Sequence, residues 1–230
     1  MSSHTISHAD SIYRGDVYKK GTNADGRRGI LWAPVASYNC TPATLDRNGI
    51  SLAQQTAGAA NLTITGALAS GGVATLDVPR NITVYSAGNI STVVFTITGK
   101  DQYGDTIVET ITGVNNSTVE GDKAFKTVSQ IAASGAVGTD VEVGSGDTFG
   151  IPYRVNDKGQ IITISWDSGL EDLGVFTVAD ATTATATTGD VRGTVNTSSA
   201  SNGSRELYVI FLMNDTTTPA LVYGVDQYDG

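Results

Sequence analysis

One stretch decides the fold class: residues 92–112, which read TVVFTITGKDQYGDTIVETIT. Val93, Phe95 and Ile97 alternate with polar residues, and this period of two is typical of a strand that buries one face. Residues 101–105 then supply turn-forming Asp and Gly, and a second β-branched run follows them. The stretch therefore predicts a β-hairpin with a loop longer than two residues.

The same succession of strands and turns continues beyond the hairpin. Turn signals recur about every 8–12 residues, a spacing that favours a β-sandwich or barrel. Leu207–Met213 is apolar on both faces, as expected of a central strand. Helix signals are weak, since Gly58 limits the one candidate at 51–60. Further strands are predicted at 81–85, 125–131, 141–143, 162–166, 176–178 and 220–225.

Residues 1–45 differ from the rest because they lack clear alternation and contain a basic cluster. Residues 1–30 carry a net charge of +2, which leaves −11 for the remainder. We therefore predict an all-β fold, an antiparallel β-sandwich or barrel-like domain with an extended N-terminal arm at 1–45. The β-rich body covers 46–230, and a division into two packed β subdomains near 150–160 stays open. The alternative for the arm is a loosely ordered terminus.

Composition excludes several classes of function. The net charge of −9 repels phosphates, so nucleic acid is not an expected partner. No apolar run approaches the length of a membrane span, and the first residues contain no signal peptide. The single cysteine, Cys40, cannot form an intrachain disulfide. We expect a protein that is made in a cytoplasm and stays there or leaves by cell lysis.

The residues that usually carry catalysis are scarce. The only histidines, His4 and His8, have a spacing compatible with two metal ligands, but no third ligand is evident. Cys40 has no candidate base nearby in the sequence, which favours a structural cysteine. The carboxylates in 167–172 are compatible with a calcium loop or, by default, with acidic turns. We predict no enzyme, no cofactor and no metal.

One short echo links the hairpin to the end of the chain. The segment DQYGD at 101–105 is similar to DQYDG at 226–230. Real repeats recur over a longer period, so five turn-rich residues match easily by chance.

Two regions are similar in amino-acid sequence to a known class of proteins. The first is 81–131, which continues into VGSGDTFGIPYRV at 143–155. The second is GVFTVAD at 174–180, followed by ATATTGDVRGT at 184–194. Both resemble small β-rich virion structural proteins of tailed bacteriophages, many of which decorate the capsid. The similarity extends over residues 81–213, and the arm has no part in it.

The resemblance implies a structural protein of a phage particle, most simply a capsid decoration or cement protein that stabilises the shell. The implied partners are the major capsid protein and further copies of the chain, as a homo-oligomer such as a trimer. The implied location is the capsid surface of a virion assembled in the host cytoplasm. Candidate partner-binding residues are Arg14, Tyr18, Lys19, Lys20, Arg27, Arg28, Trp32 and Arg192.

Alternatives stay open both for the role of Arg192 and for the function of the chain. Arg192 is compatible with a clamp on a carboxylate, within the fold or across a subunit boundary, or with a solvated loop arginine. The chain is also compatible with a head or tail fibre domain that binds a host-surface glycan, or with a tail or connector component. Candidate aromatic platforms for a glycan are Tyr103, Trp166, Tyr223 and Tyr228, although the alternation around Trp166 favours a core position.

Overall fold

The structure is a computed structural model that describes residues 16–22, 28–167, 169–172, 174–180, 183–213 and 219–228. For residues 16–22, 28–33, 170 and 171, the description concerns the backbone alone. Arg14, Arg27 and both histidines lie outside the described residues. In the described part of the chain no helix is both long and apolar enough to cross a membrane.

Strands dominate the described residues. In chain order they are β1 Asp16–Thr22, β2 Arg28–Cys40, β3 Ser51–Thr56, β4 Ala60–Asn61, β5 Ala69–Ser70, β6 Val73–Asn89, β7 Val94–Lys100, β8 Thr106–Thr112, β9 Asn115–Glu120, β10 Phe125–Ala133, β11 Val137–Gly150, β12 Ile161–Trp166, β13 Leu170–Glu171, β14 Val175–Val178, β15 Gly193–Asn196 and β16 Leu207–Leu212. A short 3-10 turn covers Lys158–Gln160, and one helix, α1, covers Pro219–Tyr223.

The strands form two antiparallel sheets. A five-stranded sheet has the order β1-β2-β16-β12-β13. An eleven-stranded sheet follows the path β14-β15-β11-β6-β10-β7-β8, while β3, β4, β5 and β9 pair beside that path with β11, β10, β6 and β6. The larger sheet curls into a half-barrel, and the prediction of an all-β sandwich or barrel-like fold is confirmed.

The β-hairpin predicted within residues 92–112 is present. β7 and β8 pair antiparallel, with Val94 opposite Thr112 and Lys100 opposite Thr106. Val93, Phe95 and Ile97 are all buried. Because residues 101–105 connect the two strands, the loop is indeed longer than two residues.

β6 connects the two halves of the larger sheet. Its first residues pair with β10, and its second half lies between β11 and β9. The change of partner occurs around Pro79, which has no N–H to donate to a neighbouring strand, and around Arg80. At Arg80 the strand is in register with both Phe125 and Phe149.

The Arg80 side chain is buried at this change of partner, with 1% exposure. Its guanidinium donates to the carbonyl oxygens of Gly146 at 2.7 Å and Ala43 at 3.0 Å. It also pairs with the carboxylates of Asp147 at 2.8 Å and Asp77 at 3.2 Å. One side chain therefore ties β6 to β11 and to the segment that follows β2.

Apolar side chains form two main clusters. The first is drawn from residues 50–143 and includes Phe95 and Phe125. The second combines Ala36 and Val78 with residues between 149 and 211, and packs the five-stranded sheet against β14, β15 and the end of β11. The predicted division of the body near 150–160 stays a prediction.

One local prediction is wrong. Residues 220–225, predicted as a strand, contain most of α1, which Pro219 starts at a position where proline is favoured. The weak helix candidate at 51–60 is not helical: β3 covers Ser51–Thr56 and pairs with β11. In β3, the Gln54 side chain also donates to the carbonyl oxygen of Thr63 at 2.9 Å.

The predicted arm contains regular structure. β1 and β2 form an antiparallel hairpin, with Asp16 opposite Pro34 and Thr22 opposite Arg28. The second half of β2 pairs with β16, so that Val35 is opposite Leu212 and Cys40 is opposite Leu207. The segment 34–40 is therefore an integral part of the five-stranded sheet.

Replacing Arg80 with methionine should lower the free energy of unfolding by about 3 kcal/mol, because partly buried carboxylates lose their counter-charge. Urea unfolding measures the change. The control is Arg47→Met: Arg47 also pairs with a carboxylate, that of Glu142, but its side chain is 53% exposed. We expect a loss below about 1 kcal/mol for this control. Equal losses in the two variants would contradict a special role for Arg80.

Candidate functional site

Five of the predicted partner-binding residues of the arm lie in one described hairpin. Tyr18, Lys19 and Lys20 belong to β1, and Arg28 and Trp32 belong to β2. Tyr18 is directly opposite Trp32 in the register. The hairpin thus brings the five positions together along the outer strands of the five-stranded sheet, and their partner role stays a prediction.

Arg192 lies elsewhere, inside the fold. It is 4% exposed and forms an ion pair with the buried carboxylate of Asp101. Its guanidinium also donates to the carbonyl oxygen of Tyr223 at 3.4 Å and lies 5.0 Å from the ring centre of Tyr103. Arg192 is therefore a clamp on a carboxylate within the fold, and not a solvated loop arginine, because its guanidinium forms an ion pair with Asp101.

Hydrogen bonds organise the hairpin loop around Tyr103. One carboxylate oxygen of Asp101 accepts from the backbone N–H of Tyr103 at 2.8 Å and of Asp105 at 3.0 Å. The Tyr103 hydroxyl donates to the carbonyl oxygen of Pro152 at 2.6 Å. Asp101 therefore organises the loop with one oxygen and holds Arg192 with the other.

Basic residues anchor the C-terminal segment, residues 219–228, by donating hydrogen bonds to its main-chain carbonyl oxygens. Arg154 donates through its backbone N–H to the carbonyl oxygen of Val222 at 2.7 Å and through its side chain to that of Ala220 at 3.3 Å. The buried Lys123 donates to the carbonyl oxygen of Gln227 at 3.2 Å. The Gln227 side chain, itself buried, donates to Asp190 at 3.0 Å.

A groove opens between the hairpin loop and the C-terminal segment, and we call it the tyrosine groove. The rings of Tyr103 and Tyr223 meet edge to face, with centres 5.6 Å apart and planes at 77°. They are 48% and 45% exposed, respectively. The groove has a volume of about 390 Å³ and is lined by Tyr103, Asp105, Arg192, Pro219, Tyr223, Gly224, Val225 and Asp226.

The sequence indicated Tyr103 and Tyr223 as candidate glycan platforms, but it did not show that they lie side by side. It did not single out the carboxylates of Asp105 and Asp226. No local pattern in the sequence indicates that these two segments meet, although Tyr103 and Asp105 from 101–105 and Asp226 from 226–230 all line the groove. The other candidates lie outside it: Trp166 is 1% exposed, as expected of a core residue, and Tyr228 does not line the groove.

A second groove lies where the two sheets expose strand edges, and we call it the edge groove. Ile162 in β12 is 49% exposed and Val175 in β14 is 59% exposed. The volume is about 470 Å³, and the lining residues are Lys158, Ile161, Ile162, Thr163, Ile164, Asp172, Gly174, Val175 and Phe176.

The strand edges at this groove are open. Along β12, the partner β13 is in register only with Ser165 and Trp166, so within the described ranges no strand covers 161–164 on the side away from β16. β14 is the outermost strand of its sheet and is paired with β15. Outside the pairing with β16, the described backbone bonds of 161–164 are the turn bond from Ile161 N–H to Lys158 O and the bond from Asp172 N–H to Ile164 O at 2.8 Å.

The acidic segment 167–172 serves the fold. Asp172 accepts hydrogen bonds from the indole of Trp166 at 2.9 Å and from the backbone N–H of Ser198 at 2.7 Å. Burial raises the pKa of Asp172, but these bonds outweigh it, so the pKa lies below its usual value. Among the residues that the structure describes, no group of acidic, Cys or His side chains is arranged to hold a metal ion.

Cys40 is half-buried in β2. Burial raises the pKa of its thiol to about 11, so the thiol stays protonated at neutral pH. This environment agrees with the structural role expected for this residue, because the thiolate is the reactive form.

Glu109, in β8, is a buried carboxyl group. One oxygen accepts from the backbone N–H groups of Asp122 and Lys123, while the other has no hydrogen-bond partner among the described atoms. Burial raises the pKa of Glu109 to about 7, although the two N–H donors act against it. Burial lowers the pKa of Lys123, against the attraction of Glu109, Asp190 and Asp180.

Comparisons with known proteins give no identification. No family model matches the chain, and no curated protein or solved structure matches it.

The stability of the protein should decrease as the pH rises from about 5 to 8. The pKa of Glu109 is about 7 in the folded state and 4.5 as its ordinary value, so the folded state binds the proton more tightly. Its contribution is therefore complete below pH 4.5 and is lost as the pH passes about 7, a difference of about 3 kcal/mol. The measurement is urea unfolding across this pH range.

Glu109→Gln should flatten that pH profile, because glutamine keeps an acceptor for the two N–H groups and has no proton to lose. Glu120→Gln, at an exposed position in β9, is the matched control and should follow the unmodified protein. A Glu109→Gln profile as steep as that of the unmodified protein would show that other groups cause the dependence.

Proposed function

We propose that the chain is a non-enzymatic structural protein of a tailed-phage particle, a capsid decoration protein that binds capsid subunits and stabilises the shell. The resemblance over residues 81–213 supports this proposal, and so does the all-β architecture. The observation that carries it is the edge groove, because open strand edges flanked by exposed β-branched side chains are suited to protein–protein contact.

The contact that the edge groove favours is strand addition. An extended segment of a capsid subunit would form main-chain hydrogen bonds with 161–164 or with β14. Its apolar side chains would cover Ile162 and Val175, whose exposed surface is unfavourable in water. Many copies bound across junctions between capsid subunits would resist internal pressure through the sum of individually weak contacts.

Placing a charge in the edge groove should prevent attachment. We expect the double variant Ile162→Asp and Val175→Asp to lower the occupancy on stripped particles at least about tenfold, because the charges are desolvated on binding. Co-sedimentation with particles measures the occupancy. The control is Leu52→Asp in β3, a 48% exposed apolar residue that does not line the groove. Equal occupancy of the double variant and the control would exclude the edge groove as the attachment surface.

The arm is the second predicted contributor. Deleting residues 1–27 removes β1 with Tyr18, Lys19 and Lys20 and leaves β2 to pair with β16. We expect weaker capsid binding or loss of homo-oligomerisation, measured by co-sedimentation and by light scattering in solution. An unchanged urea midpoint would verify that the body stays folded. Full occupancy and an unchanged oligomeric state would exclude a role for the arm.

A further inference from the structure

The tyrosine groove combines two half-exposed aromatic rings with hydrogen-bond acceptors. Tyr223 is fixed by two neighbouring rings, Tyr103 at 5.6 Å and Tyr153 at 5.8 Å. One side of Tyr103 is already taken by the guanidinium of Arg192. Asp105 from the hairpin loop and Asp226 from the C-terminal segment both line the groove, and both residues are exposed.

The electrostatics of the groove restrict its ligand. Arg192 is neutralised by the buried carboxylate of Asp101. Asp105 and Asp226 have no ion-pair partner in the described part of the chain. The surplus of negative charge disfavours sulfated, phosphorylated or carboxylated ligands.

The number of available rings distinguishes this groove from an aromatic cage for an organic cation. Such a cage surrounds the charge with several ring faces. Here Arg192 already lies over Tyr103, which leaves Tyr223 as the one lining ring for a ligand. What the groove offers instead is a ring to stack on and carboxylates that accept from hydroxyl groups, which suits a flat, amphipathic, hydroxyl-bearing ligand.

We propose that the tyrosine groove binds a neutral saccharide. The apolar face of one pyranose stacks on Tyr223, and its hydroxyl groups donate to Asp105 and Asp226. The groove volume of about 390 Å³ lies within the range of small-ligand sites. This activity is separate from attachment to a capsid, since the two grooves are built from different residues.

The test uses the full-length chain without any particle. An array of neutral, amino and acidic oligosaccharides identifies the ligand, and calorimetry then measures Kd. Tyr223→Ala should weaken binding at least about tenfold and Asp226→Asn about fivefold, as expected when a central contact is removed. Tyr223→Phe keeps the ring and should bind within about twofold of the unmodified protein.

Tyr228→Ala is the matched control, because Tyr228 is a 40% exposed tyrosine of the same segment that does not line the groove. It should leave Kd unchanged. Three results would overturn the proposal: no neutral saccharide binds at millimolar concentration, only amino or acidic saccharides bind, or Tyr228→Ala and Tyr223→Ala weaken binding equally. None of these results bears on capsid attachment, which is measured with the edge-groove variants.

Discussion

The buried guanidinium of Arg80 is the interaction on which the rest of the structure depends. A guanidinium removed from water is costly unless its donors are satisfied, and here carbonyl oxygens and two carboxylates surround it. It lies where β6 changes partners, between the first apolar cluster and the second. The two halves of the larger sheet can therefore separate only if that charge loses its partners.

The same device recurs wherever irregular chain must be held against the sheets. Arg192, Arg154 and Lys123 each donate to main-chain carbonyls of the C-terminal segment. These carbonyls lie in or beyond a helix too short to satisfy them internally. The chain has only 14 Lys and Arg residues against 23 Asp and Glu. Several of these basic side chains are nevertheless buried, where they hold parts of the fold together. The tyrosine groove is a consequence, because it forms where the anchored segment meets the hairpin loop.

The sequence predicted the parts of the fold that depend on neighbours in the chain. Residues 92–112 contain both strands and the turn of one hairpin, so local alternation was sufficient. It did not predict the pairing of β2 with β16 or the contact of Arg192 with Asp101, which lies 91 positions away. Nor did it place Tyr103 beside Tyr223. Side chains that meet across such distances leave no local pattern, whereas strand alternation does.

Open strand edges are a liability in a soluble β protein, and most are blunted by charge, proline or a covering segment. At the edge groove, Lys158 is the one cation among the lining residues, and Ile162 and Val175 remain exposed beside it. Apolar surface on two adjoining strand edges favours pairing with another chain. At the other end of the larger sheet, β8 has its Thr110 N–H bonded to the carbonyl oxygen of Ala186 at 2.8 Å. At the edge groove, by contrast, the edges of β14 and of residues 161–164 carry exposed apolar side chains, and this is the surface that the proposed attachment would use.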